Sequence, residues 1–191
     1  MRVKARWNDK KQPRSYRETA SALAFNLWRL CAQAVLTLEN ENFQTDSQKQ
    51  RLDIIAEYIA FLVHVTDRLA WGRLDDGERA ALVTEMALAL NRIFVDNARD
   101  FADAAVYHDG IIDFINRVGG EYAEMAFADE EPSFSMLRLF AERITAVLGP
   151  RDRKWVADRI IQLDGPDAVA VLKKTLRSLV PELGLGKTSS T

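Results

Sequence analysis

From residue 20 onward apolar side chains return every three or four positions. Ala20, Leu23, Ala24, Leu27, Leu30, Cys31, Ala34 and Leu38 define one face of a helix, and Phe25, Trp28, Ala32 and Val35 define a second. Only Asn26, Arg29, Gln33 and Thr37 are left as a polar strip, so this first helix needs cover on both sides, from its own chain or from a second subunit. Ser15 and Glu18 have the spacing of a capping box that would start it.

The same period predicts the elements that follow. Asp46 or Ser47 caps a second helix running to about Trp71, with Leu52, Ile55, Ile59, Leu62, Thr66 and Leu69 as its seam. After Gly72, Asp75 or Asp76 caps a third helix, and so short a connection makes the second and third antiparallel. A fourth segment, about Asp100 to Arg117, carries Phe101, Ala104, Ala105, His108, Ile112 and Ile115 on one stripe. Gly110 is expected to kink it and Gly119-Gly120 to end it. Asp129-Glu130-Glu131-Pro132 reads as a linker, with Ser133 capping the first of three shorter helices. Gly149-Pro150 closes the first, Asp164-Gly165-Pro166 the second and Pro181 the last. Trp155, Val156, Ile160 and Leu163 mark the apolar side of the second. No stretch alternates with period two, so no strand is expected.

These patterns predict an all-α helical bundle of about six or seven helices, with long antiparallel helices first and shorter ones at the C-terminus. Residues 1–14 form a basic arm, 15–128 the main bundle, 133–182 a three-helix portion packed on it, and 183–191 a flexible tail.

Composition narrows the class. The chain has 191 residues, 48% hydrophobic and 28% charged, with 9 Gly and 5 Pro, enough apolar content for a sizeable core and too few breakers for a disordered chain. Asn26, Arg29 and Gln33 interrupt the most apolar run, so no membrane span is expected and a soluble protein is. The single cysteine, Cys31, excludes an intramolecular disulfide and fits a buried thiol in a reduced, cytoplasmic protein.

Net charge is −2, which indicates no nucleic-acid coat, although six cations against Asp9 make residues 1–14 locally basic. Residues 96–131 carry ten acids against Arg99 and Arg117, whereas residues 138–177 carry nine bases against five acids. That asymmetry reads either as solvated helix faces or as complementary surfaces for self-association or for a charged partner.

Several chemistries fail on specific missing residues. The first glycine of a phosphate loop ending in Gly186-Lys187-Thr188 falls on Pro181. One cysteine cannot make a Cys-x-x-Cys metal set, and the residues three before His64 and His108 are Phe61 and Ala105, not the glutamates of a di-iron carboxylate bundle. No metal and no cofactor is expected. Without a legible nucleophile and base, the expectation leans away from an enzyme.

One constellation remains. Glu57, His64, Asp67 and Trp71 fall along one strip of the second helix with Asp53, and Arg68 lies one turn from His64. A carboxylate one turn from an imidazole orients it and favours its charged form, so Glu57, His64, Asp67, Arg68 and Trp71 are candidate ligand-binding residues. The alternative is the solvent edge of a buried helix or a network tying helices together. His108, on an apolar stripe, reads as a core histidine.

The segment Phe61-x-x-His64-x-x-Asp67-Arg68-x-Ala70-Trp71-x-x-Leu74 resembles one found in uncharacterised bacterial all-helical domains. The resemblance spans about two helices and implies a bacterial helical domain without implying an activity.

Three functions follow as expectations. The first is a non-enzymatic protein acting through protein contacts, self-associating as a homodimer through Phe25, Trp28 and Val35. The second is a small-molecule or acyl-chain binding bundle anchored by the second helix. The third, least favoured, is nucleic-acid binding through Arg151, Arg153, Lys154 and Arg159 after Gly149-Pro150, a patch that Asp152 and Asp158 interrupt.

Overall fold

A computed structural model describes residues 16–41, 43, 45–149 and 153–185. Among them the chain forms seven α-helices: α1 (Tyr16–Asn40), α2 (Gln48–Ala70), α3 (Asp76–Ala98), α4 (Ile112–Ala123), α5 (Phe134–Leu148), α6 (Arg153–Arg159) and α7 (Gly165–Leu179). The expected all-α bundle is what forms.

Helix α2 is its axis. Ser47 caps it through the Gln50 N–H, and every residue from Ile54 to Thr66 is buried, so the helix is enclosed all round. Ion pairs at the ends fix the directions of its neighbours. Arg51 at the start of α2 meets Glu39 at the end of α1, and Asp67 near its end meets Arg79 at the start of α3, each at 2.6 Å. Both neighbours are therefore antiparallel to α2 and parallel to each other. Their mutual packing runs from the Tyr16 hydroxyl, which donates to Glu78 at 2.6 Å, to an edge-on contact between Trp28 and Phe94. Asp75 and Glu78 form a reciprocal capping box at the start of α3.

Helix α5 crosses α2 antiparallel, the Gln50 side chain donating to the Val147 carbonyl at one end and Arg143 meeting Glu57 further along. Helix α7 covers α1 and α2 on the remaining side. One buried cluster runs from Ala20 through α2 to Leu185, so the main bundle and the C-terminal helices share a core. By length and composition α1 is apolar enough to cross a membrane. Its buried residues, among them Leu23, Leu27, Cys31 and Leu38, pack against the rest of this core.

Several local expectations are corrected. The fourth segment is divided: a 3-10 turn at Ala102–Tyr107 precedes Gly110, whose φ of 94° only glycine adopts without strain, and α4 starts after the Asn91 side chain accepts the Ile111 N–H. The glycine pair lies inside α4 rather than ending it. His108 is exposed in the turn after the 3-10 segment, because the α period that would have placed it on the apolar stripe is broken there.

The acidic linker is the tip of a two-residue hairpin, β1 (Phe127–Ala128) with β2 (Glu131–Pro132), tethered by Glu130 to Arg73 at 2.7 Å and by Glu131 to Lys173 at 2.5 Å. Asp164-Gly165-Pro166 does not stop a helix either. Residues Ile160–Asp164 form a π turn in which the Gly165 N–H reaches back to the Ile160 carbonyl, so Pro166, which has no N–H, enters where the ladder is already offset. Trp155 and Leu163, expected on the apolar side, are exposed, while Val156 and Ile160 are buried. Leu183 and Leu185 are also buried, so the tail is anchored further along than expected. The Ser15 cap, the basic arm and residues 186–191 lie outside the described residues.

Candidate functional site

The five predicted ligand-binding residues do not converge. Glu57 is buried and takes two hydrogen bonds from Arg143 of α5, at 2.6 and 3.0 Å, while Arg143 also donates to Glu121 of α4 at 2.7 Å. Burial raises the Glu57 carboxyl above its usual range, with the guanidinium pulling it the other way. His64 lies against Tyr122, ring centroids 5.7 Å apart, and neither its Nε2 nor the Tyr122 hydroxyl has a hydrogen-bond partner among the described residues.

Burial, and then the neighbouring Arg68 charge, lower the imidazole to about 4 against a weaker pull from Asp67, so His64 is neutral at pH 7. The expectation that a carboxylate one turn away favours the charged imidazole is thus overturned by burial. Asp67 is committed to Arg79, whose guanidinium also covers the exposed ring of Trp71 at 4.8 Å. Arg68 sits over Phe127. The five residues are divided among α5, α4, α3 and β1, and Asp53 bonds Lys49 and the Tyr107 hydroxyl.

The interface candidates separate in the same way. Phe25 is 56% exposed, but Val35 is buried and Trp28 is packed on Phe94, so α3 and the core cover much of the second face of α1. Arg159 is turned to Asp164 at 3.1 Å and Glu41 at 3.4 Å, which neutralises one cation of the basic patch. The side chains of Arg151, Arg153 and Lys154 lie outside the described residues.

A cleft of about 140 Å³ opens instead between α1 and α7. Leu30 and Ala34 of α1 and Ala168 and Val171 of α7 form its walls. Gln33, Thr37, Asp164 and Asp167 supply polar groups, and Tyr58 of α2 forms part of the lining. The Tyr58 ring is fully buried and meets Phe140 edge-on at 4.8 Å, and its hydroxyl has no hydrogen-bond partner among the described residues. Burial, and then the Asp164 charge, raise that phenol well above its ordinary value. Asp164 is itself raised by burial, with Arg159 opposing.

Nothing in the linear pattern marks this place. Tyr58 lies beside the α2 seam, and Asp164 and Asp167 flank what reads as a helix stop more than a hundred residues away. Arg143 was equally hidden, since only the fold brings it to Glu57. Comparison of the chain with protein-family models, curated proteins and solved structures finds no match in any of the three.

Proposed function

We propose that this chain is a binding protein rather than a catalyst, and that it holds a small molecule in the cleft between α1 and α7. The carrying observation is that Tyr58, whose buried hydroxyl has no hydrogen-bond partner among the described residues, is part of the lining of a cleft with apolar walls, because a buried hydroxyl left without a hydrogen bond costs about 1–3 kcal/mol unless something satisfies it. Small-molecule sites combine mostly apolar walls with a few placed polar groups, which is the composition of this lining. The buried ionisable groups near α4 and α5 are engaged with each other, Glu57 with Arg143 and Arg143 with Glu121, which suits a structural part.

The test is a titration with small aromatic probes followed by NMR. Methyl resonances of Ala34, Ala168 and Val171 should move together, and Ala34→Leu, checked for fold by circular dichroism, should abolish the response by filling the cleft. Probes that leave these methyls unmoved, or that act equally on Ala34→Leu, would overturn the reading.

Self-association is a second reading, supported by one observation. Phe25 and Leu36, 56% and 51% exposed, lie eleven positions apart on α1 and so share a face.

A further inference from the structure

We infer that the ligand of the α1–α7 cleft is a compact organic amine in its protonated form, its ammonium group meeting Asp164, Asp167 and Tyr58 and its apolar body lying between Ala34 and Val171. The inference rests on the cleft being a binding site, and adds the chemical class.

Charge gives the sign. Among the described residues, the two carboxylates of the lining are accompanied by no cation within it. Arg159 pairs with Asp164 from outside the lining, and it is shared with Glu41. Asp167 is exposed at the start of α7, and Asp164 is less exposed and paired with Arg159.

The hydrogen-bonding inventory gives the group. An ammonium brings three donors and no acceptor, and the lining residues include two acceptor-only carboxylates, Asp164 and Asp167, beside Gln33, Thr37 and Tyr58, which can accept as well as donate. A carboxylate or phosphate ligand would set its charge against both aspartates. Volume gives the size: about 150 Å³ suffices for a benzene-sized body, close to the 140 Å³ observed.

The experiment uses the full chain and three probes of equal size: benzylamine, benzyl alcohol and benzoate. Benzylamine should bind with a Kd of about 1 mM, in keeping with its few atoms, and at least about tenfold more tightly than the alcohol. Benzoate should not bind. Asp167→Asn, an exposed change that leaves the core intact, should weaken benzylamine several-fold and leave the alcohol unaffected.

Tyr58→Phe should also weaken benzylamine while leaving the melting temperature of the free protein unchanged or raised, since the lost hydroxyl had no partner. An alcohol that binds as tightly as the amine, or an Asp167→Asn variant that binds the amine as well as the wild type, would overturn the amine assignment and leave the cleft standing. Failure of all three probes at the cleft methyls would overturn both.

Discussion

At the scale of single residues, the buried polar groups of α2 decide the pH behaviour. His64 has an ordinary value of 6.5 and is lowered to about 4 in the fold, so the unfolded chain takes up a proton that the folded chain refuses. Its contribution to stability is therefore complete above about pH 6.5 and is lost as the pH falls toward about 4. Urea unfolding at pH 7 and again at pH 4.5 should show the gap between wild type and His64→Leu shifting by about 2 kcal/mol in favour of the variant at the lower pH. An unchanged gap would mean that the imidazole protonates freely inside the fold.

The Glu57 and Arg143 pair makes a different demand. Removing one partner strands a buried charge, so Arg143→Met should cost about 3 kcal/mol or more. Adding Glu57→Leu should return at least half of that, because the stranded carboxylate goes with it. Chemical denaturation of the two single variants and the double variant closes this cycle.

At the scale of elements, glycines that look alike in sequence have opposite roles. Gly119 and Gly120 lie inside α4 with nothing within 4 Å of where a Cβ would sit. Alanine at either position should raise stability by about 0.5–1 kcal/mol by restricting the unfolded chain. Gly165 has an ordinary helical φ of −66°, yet a Cβ there would meet the Ile160 carbonyl and a Leu137 methyl, both at 2.8 Å. Gly165→Ala should therefore lower the melting temperature by several degrees, and with it loosen the π turn that carries Asp164 to the cleft. Thermal melts of the three alanine variants test this sign pattern directly.

Element by element, the long helices were the legible part. Sixteen of the 23 residues of α2 are buried, and the second and third helices have the caps that Ser47 and Asp75 suggested. What misled was punctuation. Gly119-Gly120 and Asp164-Gly165-Pro166 are breakers by local preference, but packing on α2 holds the first pair helical and a backbone offset admits the second.

For the whole molecule, the exposed outer face of α1 is what bears on self-association. Phe25 and Leu36 are the exposed apolar pair on its outer face, so light scattering at high concentration should give a dimer mass that the double change Phe25→Glu with Leu36→Glu returns to a monomer without loss of stability. Trp28→Glu should behave differently. It sets a carboxylate against Phe94 inside the α1 and α3 contact, and should lower stability by about 2 kcal/mol or more whether or not a dimer exists. A wild type that stays monomeric would remove the self-association reading and leave the cleft unaffected.

Periodicity alone determined that this chain is a bundle of helices, where most of them lie and which faces are apolar, because burial stripes and caps are local properties written at spacings of three and four. It could not determine which helices meet. Whether Glu57 faces water or Arg143, whether Trp28 faces a second subunit or Phe94, and whether Tyr58 is filler or part of a cleft with Asp164 depend on contacts between positions as much as 106 residues apart. Those contacts are chosen by the packing of α1, α3, α4, α5 and α7 on α2, a property of the whole tertiary fold that no stretch of sequence holds by itself.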